Sequence, residues 1–206
     1  MMKYLSLLVA LMLFSCGKEE NIMLPKAAKT IVNDVQDHSP IYIFFRTKDK
    51  DTLAEVNRKN SIISTNWILN IDARLPLKLV IPEVMKLQDK KRKEKAHKNE
   101  KAENYYAYAD TIGKNMAFIS FTKVFYTVGK PNKDKLVFHF RKGNDFIFLN
   151  GVEVKKTDLI TEFSKIKFEI MPDVVLLFDK NMSYGEYIQD KILIEDFKGT
   201  NQEYIF

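Results

Sequence analysis

One cysteine occurs in the 206 residues, and its neighbours give it a chemistry. In Leu13-Phe14-Ser15-Cys16-Gly17 a leucine and a small residue stand before Cys16, and a glycine follows it. This is the lipobox pattern, at which a bacterial signal peptidase cuts just before a cysteine whose sulfur takes up a diacylglycerol. Phe14 is bulkier than the residue usual at its place. Upstream, Lys3 and the apolar run over residues 4–14 form the basic start and core of an export signal. That run is too short to span a bilayer, which takes about 20 apolar residues. The expectation is a signal peptide over residues 1–15 and a mature chain starting at an acylated Cys16. More than one acyl group gives stable attachment without a membrane-spanning helix.

Other reactive constellations are sparse. The three histidines, His38, His97 and His139, lie far from any spaced acid and nucleophile. No Gly-x-Ser-x-Gly, His-Glu-x-x-His or glycine-rich phosphate loop occurs. His97 has no second metal ligand at helical spacing, and Glu195-Asp196 are adjacent, hence on different helix faces. The expectation is a non-catalytic chain with no cofactor and no metal. The alternative is an envelope hydrolase or a small-ligand-binding lipoprotein, with Trp67 and residues 105–108 lining a cleft.

The formal charge is +6. Export makes nucleic acid an unsuitable partner, and anionic headgroups or cell-wall polymer fit better. Positive charge is densest over residues 88–101, where Lys91 and Arg92 are candidate contacts and a solvated helix end is the plainer alternative. Lys18-Glu19-Glu20 resembles the tag that sends some lipoproteins to the cell surface. Gly17 is not the acidic residue that retains lipoproteins in the inner membrane, so the outer membrane is favoured.

With no second thiol, the body must be held by its core, and a composition 46% hydrophobic and 12% aromatic suits that. Residues 16–39 read as a polar tether, and residues 40–130 and 131–206 as two halves parted at residues 129–135. In the first half, residues 41–45 and 62–71 read as strands, with a brief helix permitted between them around Leu53 and Val56. Leu77, Val80, Ile81, Val84 and Leu87 mark the apolar face of a helix opened by Pro76 or Pro82. Residues 105–128, dense in aromatics, should hold one or two strands with a helical turn between them.

The second half reads more clearly. Residues 136–140 and 146–149 form a hairpin, and Asn150-Gly151 is a strong type I′ turn signal leading to Val152 and Val154. Thr157 is a candidate N-cap for a helix with Leu159, Ile160, Phe163 and Ile166. Residues 174–178 read as a central strand, residues 183–196 as a helix and residues 204–206 as a last strand. The fold class is α+β: two tandem small mixed-sheet/helix halves, the second in ββαβαβ order.

That second half resembles the periplasmic domain of the ExbD/TolR family of biopolymer-transport proteins. The resemblance is carried by Phe148-Leu149-Asn150-Gly151-Val152-Glu153-Val154, the helix with Leu159, the strand ending at Asp179, and Met182-Ser183-Tyr184-Gly185-Glu186-Tyr187-Ile188. It implies an envelope domain that dimerises and contacts partner proteins, ExbB- or TonB-like, or peptidoglycan, with Asp179 and Tyr184 as candidate contacts. The proton-conducting route of that family is not implied, because residues 4–14 hold no acid. The first half reads as a diverged copy, with Ile68-Leu69-Asn70 laid on Phe148-Leu149-Asn150 and Asp110 answering Asp179. The expected function is a non-catalytic binding or assembly element beside a Ton- or Tol-type system in the cell envelope.

Overall fold

The computed structural model describes residues 20–96, 98–131, 135–166, 173–195, 197 and 202–206. The segment read as a signal peptide, Cys16, Lys18, Glu19, His97 and Asp196 lie outside the described residues. The described chain is mixed α/β, with two mixed sheets and three α-helices.

In the first sheet, β1 (Lys26–Ala27) is followed by a hairpin of β2 (His38–Lys48) and β3 (Asp51–Asn57). β4 (Asn66–Ile71) lies parallel to β2 and is buried along nearly all its length. Helix α1 (Leu77–Lys93) returns the chain to β5 (Asn104–Asp110), parallel to β4, and β6 (Asn115–Ser120) turns back along β5. The apolar face expected for α1 is the buried one, from Leu77 through Val80, Ile81 and Val84 to Leu87. Pro76 stands just before the helix, and Pro82 lies inside it without ending it.

The second sheet holds β7 (Phe125–Val128), β8 (Leu136–Phe140), β9 (Phe146–Leu149), β10 (Val152–Lys155), β11 (Val174–Phe178) and β12 (Gln202–Ile205). β8, β9 and β10 form an antiparallel meander, while β8, β11, β12 and β7 run parallel. Helix α2 (Leu159–Lys165) precedes β11, and α3 (Tyr184–Leu193) joins β11 to β12. The Asn150-Gly151 turn has positive φ at both residues, 49° and 87°, as a type I′ turn requires. One cluster of buried apolar side chains runs through both sheets and all three helices, so the halves share a core.

Four expectations are corrected. The polar stretch read as a brief helix is strand β3, whose Thr52, Ala54 and Val56 turn inward while Leu53 is exposed. The tether is shorter than residues 16–39: Val32 bridges Phe118, and Val35 packs with Ile68, Ala107 and Phe118 on the face of the first sheet opposite α1. Polar composition hid this, because only Leu24, Val32 and Val35 supply apolar cover. The boundary between sheets comes before β7, since residues 125–128 pair with β12. Thr157 caps nothing; it lies in a 3₁₀ turn, Lys156–Asp158, and its hydroxyl bonds the Asp158 carboxylate.

Candidate functional site: the twofold junction and its grooves

The two halves meet through a unit that occurs twice. β4 ends at Asp72, whose carboxylate accepts the Arg74 amide at 3.1 Å and whose carbonyl accepts the Leu75 amide, after which α1 starts. β11 ends at Asp179, whose carboxylate accepts the Asn181 amide at 2.8 Å and whose carbonyl accepts the Met182 amide, after which α3 starts. Each aspartate also donates its backbone N–H to the strand alongside, at Ile43 and Phe140. In both copies a short polar side chain folds back on the backbone to stop a strand and aim a helix.

These copies face each other. Leu77 N–H donates to the Met182 carbonyl at 3.0 Å, and Tyr184 N–H donates to the Leu75 carbonyl at 2.8 Å. Lys78 N–H meets the Lys180 carbonyl at 2.8 Å, and Gly185 N–H meets the Ala73 carbonyl at 2.9 Å. Pro76 and Ser183 form an antiparallel bridge at the centre. Each bond has a counterpart with donor and acceptor halves exchanged, the pattern a twofold axis between Pro76 and Ser183 generates. Asp72, not Asp110, is therefore the counterpart of Asp179. The contact is close: a methyl group on Gly185 would stand 3.3 Å from the Ala73 methyl.

Below the junction lies a buried polar chain. Tyr106 and Tyr126 share a hydrogen bond of 2.7 Å, Tyr126 and Tyr187 one of 3.2 Å, and Tyr187 donates to Glu203 at 2.6 Å. Lys191 pairs with the other oxygen of Glu203. Burial raises the Tyr106, Tyr126 and Tyr187 hydroxyls well above their ordinary pKa, so all three stay protonated and bridging.

The candidate contacts fall in different surroundings. Asp179 is half-buried and engaged in its turn. Tyr184 is fully buried, with its ring edge-on to Tyr106 at 5.6 Å and its hydroxyl without a partner. Lys91 is buried too, its ammonium bonded to the Thr65 and Glu103 carbonyls and the Asn104 amide oxygen, 4.8 Å over the Trp67 ring. Burial, against the attraction of Glu103, pushes its pKa down to about 8. Tyr184 and Lys91 are thus core groups out of reach of a partner, a correction to their reading as contacts. Arg92 stays exposed, bonded to the Thr122 and Val124 carbonyls and stacked 4.5 Å over Phe125. The other cations of the α1 terminus suit the negative end of a helix dipole, and Lys93 pairs with Asp89.

Two grooves flank the junction. One, of about 390 Å³, lies between α1 (Leu77, Ile81, Pro82) and the ends of β7 and β12 (Val128, Phe206). Its charged lining residues, Lys78, Lys130 and Lys180, are all basic. The other, of about 620 Å³, lies between α3 and the entering segment at Lys26. Neither groove was legible in the sequence, because each is built from residues of both halves. The repeated spacing of aspartate, two residues, an apolar residue and a helix start, Asp72 to Leu75 and Asp179 to Met182, was the signal that could have placed the junction.

Among the described residues no cluster of three or more metal-binding side chains occurs, and no helix is long and apolar enough to cross a membrane. Comparison with known protein families, with curated proteins and with solved structures finds no match to this chain.

Proposed function

We propose that this chain is a lipid-anchored, non-catalytic binding module of the bacterial cell envelope, an ExbD/TolR-like body serving an energy-coupled transport assembly of the Ton or Tol type. The observation that carries the reading is the doubled strand–aspartate–helix unit. The envelope domain of the family it resembles dimerises, and here one chain supplies two such units facing each other, joined by four reciprocal backbone bonds. Proton conduction is not part of the role; the chain offers a surface.

The surface best suited to a partner protein is the groove between α1 and the ends of β7 and β12. An apolar floor with three lysines around it favours a segment that is apolar and acidic. Its volume also falls within the range of small-molecule sites, about 300–1,000 Å³. A small amphipathic anion is therefore the second reading.

The test is photocrosslinking in native membranes from a crosslinking residue at Val128, which is 70% exposed at the groove rim. Adducts with an ExbB- or TonB-like protein, or with wall fragments, are expected, and they should weaken when Lys130 and Lys180 are both changed to Glu. Turnover of wall material by the purified protein would refute the reading. The anchor is tested separately: Cys16→Ser should release the protein from the detergent phase and block signal cleavage.

A further inference from the structure

We infer that the larger groove, between α3 and the entering segment, rests on the lipid surface of the leaflet that anchors the protein. The inference builds on the acylated Cys16 of the proposed function. Contact with the body starts at Glu20, whose carboxylate pairs with Arg46 of β2 at 2.6 Å, and is continued by Met23, whose carbonyl accepts the Ala73 amide at 2.7 Å. Four residue steps separate Cys16 from Glu20, and a fully extended chain covers at most about 14 Å over that length. The body cannot stand far from its membrane.

The segment that arrives from the anchor then builds the groove itself. Pro25 and Ala27 accept hydrogen bonds from Ala109 and Thr111, and the Lys26 carbonyl accepts the Gln189 side chain at 3.1 Å. Ala27 and Ala28 form one wall, with Ile160, Ile192 and Leu193 opposite. Ile160 is 60% exposed at the lip, and Ile112, next to the lining Thr111, is 74% exposed. Isoleucines this bare suit an interface where water gives way to acyl chain. Among the described residues no carboxylate lines the groove, and Lys26 stands exposed beside it for a lipid phosphate. The acyl anchor keeps the groove at high effective concentration over the bilayer, so a weak contact suffices.

The geometry also says which cations do not meet this membrane. Helix α1 starts beside Asp72, the neighbour of Met23, and carries its basic end away along 17 residues, about 25 Å. That exceeds the Debye length of about 8–10 Å. Lys90, Arg92 and Lys93 therefore lie beyond that range from the site where the chain enters the body.

The experiment uses the full acylated chain in vesicles of phosphatidylethanolamine and phosphatidylglycerol. Cysteines are introduced singly as Ile112→Cys, Ile160→Cys and, as the distal control, Lys93→Cys. Cys16 is the only native cysteine, and its acylated sulfur is blind to maleimide. Fluorophores at positions 112 and 160 should be quenched by lipid-borne nitroxides several-fold more than one at position 93. Equal quenching at all three sites, with an unlabelled wild-type chain, overturns the docking inference and leaves the anchor standing. Maleimide labelling of the wild-type chain shows a free Cys16 and overturns both.

Discussion

Asp190 holds a proton more tightly folded than unfolded. It is buried on α3 with Lys156 at 2.5 Å from one oxygen and no partner on the other. Burial, against the pull of Lys156, pushes its pKa up to about 6 from 3.8. Between those values the folded chain binds more protons, so this group favours folding as pH falls, opposite to the usual acid lability of paired carboxylates. Wild type should gain stability relative to Asp190→Asn when chemical denaturation is repeated at about pH 4.5 instead of about pH 7. An unchanged difference would show that the carboxylate is better solvated than its burial implies. Lys91 runs the other way in pH but by the same physics, its folded pKa of about 8 lying below the unfolded 10.5. The unfolded chain binds the extra proton in that window, so wild type should gain on Lys91→Met as pH rises through it, read by the same denaturation series. Nothing in the spelling of residues 88–101 separates Lys91 from Lys90 or Lys93. Only its place on the buried face of α1, one turn beyond Leu87, takes it inside.

Among elements, α3 is the one whose start is most firmly written. Ser183 accepts the Glu186 amide, Glu186 accepts the Ser183 amide at 3.0 Å, and the other Glu186 oxygen takes the Gly143 amide at 2.8 Å from the β8–β9 turn. Ser183→Ala should cost about 1 kcal/mol in urea unfolding, as loss of an N-cap does. Glu186→Ala should cost more, because it frees both the helix start and the hairpin turn; equal costs would show that the Gly143 bond contributes little. The strand-turn-helix run over residues 174–188 was legible because its apolar block and its cap are local. So was the Asn150-Gly151 turn, where positive φ demands those residue types. β3 was not legible: it lies at the sheet edge with Leu53 exposed and Ala54 inward, so its apolar pattern contradicts its pairing. The segment over residues 23–37 was lost for a different reason. It covers the first sheet through a few spaced side chains and backbone bonds, and backbone bonds leave no mark in composition.

At the scale of the molecule, the two halves are bound by more than their linker. Tyr106 of the first half stacks edge-on against Tyr184 and Tyr187 of the second, and its hydroxyl enters the polar chain that ends at Glu203. The order strand, helix and strand in each half was visible in sequence, and the structure shows a strand–aspartate–helix unit that occurs twice. Its register was not visible, because the matching positions share a backbone role and few side chains: Pro76 answers Ser183, and Leu77 answers Tyr184. Burying these tyrosines requires both halves at once, since separating them would expose the apolar rings and break the Tyr106–Tyr126 hydrogen bond that joins the first half to the polar chain. The chain should therefore unfold as one unit, with near-ultraviolet circular dichroism of the tyrosines and far-ultraviolet signal of the backbone changing at the same denaturant concentration. Gly185→Val, which forces a side chain into Ala73 across the junction, should lower that single midpoint without splitting it. Two separated transitions, or a variant that loosens one half alone, would mean that the halves are independent domains in contact and that the joined pair is not the unit that folds.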